Sequence, residues 1–244
     1  MSIQACAALV ERSDHDRFRA TMAAPVDTRA VLFALFAFNV EVTRAPWVTK
    51  EDMIAEMRLQ WWRDALAEIA AGDAPRKHEI VDGLSSVIDV QGAQMLDGLV
   101  AARRWDIYSD AFEDAAHLDE YIDATSGHLM WTAARLLGAQ NEDRVRDFAY
   151  GVGIANLLRA VPDLEERGRK PLVDGTTDGV RDLAKSALLR LRSGDAPRAV
   201  KLSGFQAAHT LKQIVAHPER VAEGRLDMGP VRQAAALAKM ALLG

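Results

Sequence analysis

The stretch Tyr150-Gly-Val-Gly-Ile-Ala-Asn-Leu-Leu-Arg-Ala-Val-Pro-Asp-Leu-Glu-Glu-Arg-Gly-Arg169 decides how this chain is read. Its apolar residues recur at helical steps, and its polar side chains are Asn156, Arg159, Asp163, Glu165, Glu166, Arg167 and Arg169. Carboxylates one helical turn apart lie on one face, and such a ladder is what would hold Mg²⁺. Here Ala160 and Leu164 flank a single Asp163, with Glu165 just beyond. The guanidiniums of Arg159, Arg167 and Arg169 can hold an anion without a metal. Pro162 is expected to end or kink the helix and re-aim Asp163. Gly151-Val-Gly153 is too short for a dinucleotide fingerprint, and inside a helix its small residues permit close packing.

The rest of the chain sets the frame. Its 244 residues are enough for one large domain with a substantial core. A formal net charge of −5 argues against nucleic acid as partner, which calls for a clustered basic excess. One cysteine, Cys6, leaves no internal disulfide and no thiolate cluster, so a reducing interior is expected. No apolar run reaches the ~18 residues of a membrane span, and the first residues lack the basic start and apolar stretch of a signal peptide. The expected location is cytoplasmic, with peripheral contact at the inner membrane left open.

Apolar residues recur every three or four positions and no segment alternates with period two, which predicts an all-α domain. Asp27 is read as the cap of a helix through Val31, Leu32, Leu35, Phe36 and Phe38 that stops at Pro46. Thr49 is read as the cap of the next, which runs to Ala71 and closes at Gly72 and Pro75. Further helices are expected over 78–90, 93–108, 118–137, 142–161, 178–191, 198–216 and 231–243, with loops at 170–179 and 217–229. There is no repeat or long linker, so residues 1–244 read as one domain.

Three segments in order carry a family resemblance. Asn156-Leu-Leu-Arg159 with Arg167-Gly-Arg169 resembles the second signature of the squalene/phytoene synthase family. Ala34-Leu-Phe-Ala-Phe-Asn-Val-Glu-Val-Thr-Arg44 and Leu59-Gln-Trp-Trp-Arg-Asp-Ala-Leu66 resemble its first conserved region and a Trp-rich helix. Ser126-Gly127 and Ala134-Arg-Leu-Leu-Gly138 resemble its middle helix. The resemblance implies an isoprenoid synthase-like helical bundle around a central apolar cavity. It also implies two facing aspartate-rich helices that gather Mg²⁺ against a diphosphate leaving group, while the cavity shields a carbocation from water.

The chain departs from that pattern on both helices. Asn39, Val40, Glu41, Val42, Thr43 and Arg44 stand where the first aspartates belong, and Ala160, Val161, Pro162, Asp163 and Leu164 where the second do. Glu41, Asp163 and Glu165 are the remaining catalytic candidates. Phe38, Asn39, Asn156, Arg159, Arg167 and Arg169 are the candidates for binding a substrate. No metal site is expected, and Mg²⁺ enters only if the chain is a transferase.

With both carboxylate ladders lost and Phe38-Asn-Val-Glu41 in the first helix, the chain resembles the branch of complex I assembly factor 6 and its bacterial relatives. That likeness implies a non-catalytic role in assembly of a respiratory NADH dehydrogenase, with a subunit of that complex as partner. The alternatives are an active prenyl transferase with a reduced Mg²⁺ site, and a protein that holds an isoprenoid diphosphate or lipid without converting it.

Other features have plainer readings. Asp119-Glu-Tyr-Ile-Asp123 resembles a diphosphate-binding acidic motif but is expected to be an acidic first turn complementing a helix dipole. Trp61 and Trp62 point about 100° apart on a helix, so one is expected in the core and the other at a rim. The six histidines show no metal-ligand spacing. The last helix, 231–243, is expected to dock in the bundle, with membrane attachment through Arg232 and Lys239 as the other reading.

Overall fold

The computed structural model describes residues 2–49, 51–108 and 110–243. Among these the chain forms fourteen α-helices, short 3₁₀ turns and one π-helical turn, with no strand. In chain order the helices are α1 (Ser2–Ser13), α2 (His15–Ala23), α3 (Arg29–Arg44), α4 (Asp52–Ala71), α5 (Glu79–Ser85), α6 (Val90–Ala102) and α7 (Ala115–Ile122). They continue as α8 (His128–Leu136), α9 (Glu142–Glu166), α10 (Thr177–Ser193), α11 (Arg198–Leu202), α12 (Ala207–Ala216), α13 (Glu219–Ala222) and α14 (Pro230–Leu243).

Two helices form the centre because they are apolar around most of their circumference. Every residue of α3 from Leu32 to Val40 is buried, and so is every residue of α9 from Phe148 to Ala155. The other helices pack around them, with α1, α5 and α8 against α3, and α8, α10 and α12 against α9. Gly151 and Gly194 allow the closest of these approaches. A methyl group on Gly151 would stand 2.9 Å from the Ala187 carbonyl oxygen, and one on Gly194 would stand 2.3 Å from the Phe148 nitrogen.

Several boundaries differ from those the sequence predicts. Asp27 does not cap α3 but sits in the 3₁₀ turn Val26–Thr28 before it. Thr49 acts two residues early, its hydroxyl accepting from the Glu51 N–H at 3.1 Å, and α4 begins at Asp52. Pro162 does not end α9, which runs on to Glu166. The expected helix over 118–137 is divided by the π-helical turn Asp123–Gly127. The one over 93–108 starts earlier, at Val90, where the Asp89 carboxylate accepts from the Gly92 N–H at 2.8 Å, and gives way to the 3₁₀ turn Arg103–Asp106. The helix over 78–90 stops at Ser85, the one over 198–216 is divided into α11 and α12, and α13 lies inside the expected loop 217–229.

The N-terminal helices α1 and α2, which lie outside the helices expected from sequence, are punctuated by Asp14, whose carboxylate accepts from the Arg17 N–H at 2.9 Å. Trp62 is core and Trp61 lies at the rim beneath the Arg76 guanidinium, 5.1 Å from the ring centroid. Cys6 is fully buried, and burial pushes its thiol up to about 11. The helix α14 docks against α2 and α11 with Leu237 buried, and the Gln233 side chain accepts from Arg19 at 3.1 Å. No described helix is long and apolar enough to cross a membrane.

Candidate functional site

A cleft of two lobes opens between α3 and α9. The first, about 390 Å³, has a mainly apolar and aromatic wall that includes Trp47, Trp105, Phe112, Tyr121, Leu129 and Leu157. The second, about 460 Å³, is more polar and includes Asp14, Asp16, Arg44, Arg159, Ser203 and Gln206. Five residues line both lobes: Arg17 from α2, Asn39 and Thr43 from α3, Arg103 from the 3₁₀ turn after α6, and Asn156 from α9. The lobe volumes lie in the range of small-molecule sites, about 300–1,000 Å³.

The helical repeat explains which α3 side chains reach the cleft. Asn39 and Thr43 are one turn apart and share a face. Glu41, two positions from either, lies roughly 200° around the helix. It lines a separate outer groove with Met57, Arg58, Trp61, Trp62 and His78, and pairs with Arg44 at 3.8 Å. Asp163 lines the aromatic lobe. The structure therefore does not bring Glu41 and Asp163 into one cavity. Glu165 is exposed and lines neither lobe. Phe38 is fully buried and meets the Trp62 ring edge-on at 5.4 Å, so it is placed as core rather than as cleft wall.

The other binding candidates are placed at the cleft in different ways. Asn39 is nearly buried, and Asn156 stands on the opposite wall. Arg159 forms an ion pair with Asp16 at 3.6 Å across the polar lobe. Arg167 and Arg169 both lie over the Trp47 ring, 4.9 and 5.1 Å from its centroid. Arg169 also donates to the carbonyls of Asp106 at 2.6 Å, of Ile107 and of Tyr108, so it ties the end of α9 to the segment after α6.

The sequence reading missed a charged triad on the wall of the aromatic lobe. Arg103 donates to Asp106 Oδ2 at 2.9 Å and to the Tyr121 hydroxyl at 2.7 Å, and Tyr121 donates to Asp106 Oδ1 at 2.6 Å. Burial pushes the Tyr121 phenol upward, and the Asp106 carboxylate adds to the rise. Burial alone would lower the Arg103 pKa, but Tyr121 and Asp106 outweigh it and hold the guanidinium charged. The Arg103-Arg104-Trp105-Asp106 cluster was the available signal in the sequence, since so many charges beside a tryptophan demand partners.

The acidic run 119–123 is not a first turn, because α7 already starts at Ala115 and the run falls in its second half and the π-helical turn, where the carboxylates find partners. Asp119 accepts from the Tyr150 hydroxyl at 2.5 Å, and Asp123 pairs with Arg146 at 2.8 Å. Burial and then Asp119 push the Tyr150 phenol upward.

The donor set decides whether Mg²⁺ fits between α3 and α9. The ion prefers carboxylate oxygens in octahedral geometry. The facing positions carry Asn39, Thr43, Asn156, Ala160 and Asp163, so one carboxylate stands among amides, a hydroxyl and a methyl. Asp106, on the same wall, is committed to Arg103 and Tyr121. Among the described residues no three His, Cys, Asp or Glu side chains converge on a common point. Cationic side chains on the two lobes outnumber acidic ones, although the chain carries −5 overall. These residues do not fit a cluster of divalent cations.

A bundle whose cleft is framed by α3 and α9 is the architecture of the isoprenoid synthases. Residues 10–174 match the model of the squalene/phytoene synthase family, and the chain belongs to that family. It is 30% identical over 200 residues to the Drosophila melanogaster NADH dehydrogenase (ubiquinone) complex I, assembly factor 6 homolog, covering 78% of this chain and 59% of the fly protein. It is 24% identical over 161 residues to the Homo sapiens complex I assembly factor 6, covering 64% of this chain and 48% of the human protein. The chain thus spans about half the length of these curated relatives. Its fold is also that of a dehydrosqualene synthase crystallised in complex with ligand. That likeness has a TM-score of 0.76 at 13% identity and covers 98% of this chain and 95% of the other.

Proposed function

We propose that this chain is a non-catalytic member of the squalene/phytoene synthase family that acts in assembly of a respiratory NADH dehydrogenase. The observation that carries the reading is its kinship, over most of its length, with proteins named for complex I assembly. The donor set supports the non-catalytic half. Ionisation of a prenyl diphosphate develops charge that family enzymes neutralise with Mg²⁺, and Asn39, Thr43 and Ala160 offer that ion little. The partner in this reading is a subunit or assembly intermediate of the NADH dehydrogenase. The chain works beside the membrane, through peripheral contact rather than a span.

A deletion strain tests the assembly role. Membranes from the strain are expected to show reduced NADH dehydrogenase activity and reduced amounts of the assembled complex. Restoration is expected from the wild-type gene and equally from an Asp163→Asn copy. Normal levels of the complex in the deletion strain would refute the assembly role. Failure of the Asp163→Asn copy alone would refute the non-catalytic half.

A further inference from the structure

We infer that this chain pairs with a second copy of itself, the outward face of α14 on one copy seated in the outer groove between α3 and α4 of the other. The groove lies across α3 from the cleft, on the side to which Glu41 points. The inference rests neither on the assembly role nor on the loss of catalysis.

The groove is apolar where a surface helix should be polar. The inward face of α4 is spent on the core, with Ala55, Leu59, Trp62 and Leu66 buried. Its outward face nevertheless carries Met53, Met57 and Trp61 at four-residue steps, which makes a second apolar stripe. Met53 is 75% and Met57 65% exposed, and Val48 and Ile54 beside them are exposed as well. Trp61 and His78 help to form a concave surface of about 390 Å³ beneath that stripe. Contiguous exposed apolar surface of this kind marks an interaction site, and methionine adapts its shape to what packs on it.

The helix α14 offers the matching ridge. It docks inward through Ala236, Leu237 and Met240. On its other side Val231, Ala235, Ala238 and Leu242 recur at helical steps and all are exposed, Val231 at 82% and Leu242 at 79%. The two alanines keep this ridge narrow, which suits it to enter a groove. Arg232 and Lys239 run along one edge of the ridge, and the helix carries no carboxylate.

The charges decide which face pairs with which. Arg44 and Arg76 border the groove but are already held, Arg44 by Glu41 at 3.8 Å and Arg76 by Glu68 at 2.6 Å and Asp64 at 3.7 Å. Among the described residues this leaves Glu51 and Asp52, both exposed at the start of α4, against Arg58. A ridge on a ridge would set Arg232 and Lys239 against their own kind, and a groove on a groove would do the same with Glu51 and Asp52. A ridge in a groove sets cations against acids. An anionic bilayer would meet those same acids at the groove. Within one chain α14 packs against α2 and α11, and α4 against α6 and the 3₁₀ turns Ala45–Trp47 and Arg103–Asp106, so the occupant comes from another molecule. Each copy brings one ridge and one groove, so a pair has two such contacts with which to reach the ~1,200 Å² of a stable interface.

The test is sedimentation velocity of the purified full chain over a range of micromolar concentrations. A species of twice the 26.7 kDa chain mass is expected to grow with concentration and to diminish at high salt. Met57→Lys and Leu242→Lys alter exposed side chains, so thermal melting of both is expected to match the wild type. Each is nevertheless expected to weaken self-association by at least about tenfold. Lys239→Glu is expected to weaken it as well, by turning an acid toward Glu51 and Asp52.

A chain that stays monomeric at every concentration would overturn the inference. If phosphatidylglycerol vesicles then captured that monomer, and lost it in Met57→Lys, the groove would belong to a bilayer. A dimer lost in Leu242→Lys but intact in Met57→Lys would pair α14 with itself, and the reverse would pair α4 with itself. Either result would overturn the inference, as would a dimer undiminished in both variants. None of these outcomes bears on the levels of assembled complex in a deletion strain, so the two proposals fail separately.

Discussion

Asp106→Ala is expected to destabilise the protein by about 3–5 kcal/mol, the cost of leaving a buried charge without its partner. The side chains of Arg103 and Asp106 are only 19% and 14% exposed. Removing the carboxylate takes from Arg103 its ionic hydrogen bond and from Tyr121 its acceptor at 2.6 Å. Tyr121→Phe keeps the ion pair and loses one hydroxyl, so it is expected to cost less, about 1–3 kcal/mol. Urea denaturation of the two variants measures both values. A cost below about 1 kcal/mol for Asp106→Ala would mean that the triad is solvated like a surface pair. The triad matters to the cleft because it fixes Arg103 against the wall while leaving Nε and the second terminal nitrogen unused.

Phe38→Ala is expected to cost about 3–5 kcal/mol, as for a large side chain removed from a close-packed core. Its ring is fully buried, stands edge-on to Trp62, and belongs to the fully buried run of α3. Phe38 lines neither lobe, so the loss falls on the core rather than on the cleft. Urea unfolding of Phe38→Ala beside the wild type measures the cost. A cost below about 1 kcal/mol would contradict its place in a close-packed core.

The architecture was legible because α3 and α9 carry long apolar runs at helical period, and the family motifs fall on those two helices. The divided helices were harder to read. A π-helical turn such as Asp123–Gly127 adds one residue to a turn and leaves the apolar pattern on either side nearly intact. Pro162 misled in the other direction, because α9 accommodates it and continues to Glu166. The local rule for proline was overridden by packing, with Val161 buried beside it.

The cleft was legible only in part. Asn39, Asn156 and Asp163 stand on its walls, as their motif positions suggest. Glu41 was attractive as the carboxylate left in the first motif, but a side chain two positions away from Asn39 faces across the helix. Its register sends it to the groove with Trp61 and His78. Arg17 was invisible, and Arg103 showed only as part of a charged cluster with no stated place, for a different reason. They arrive from α2 and from a 3₁₀ turn that no local pattern connects to α3 or α9, and only tertiary packing brings them together. The cleft's cationic character is therefore a property of the fold rather than of any one motif.

Release of diphosphate from farnesyl and geranylgeranyl diphosphate, assayed with Mg²⁺ and with chelator on folded protein, tests the central claim most directly. No release above the protein-free rate is expected in either condition, because a cleft with Asn39, Thr43 and Ala160 facing Asp163 lacks the carboxylates to gather the ion. Mg²⁺-dependent release that disappears in Asp163→Asn would contradict the account and make this chain an enzyme.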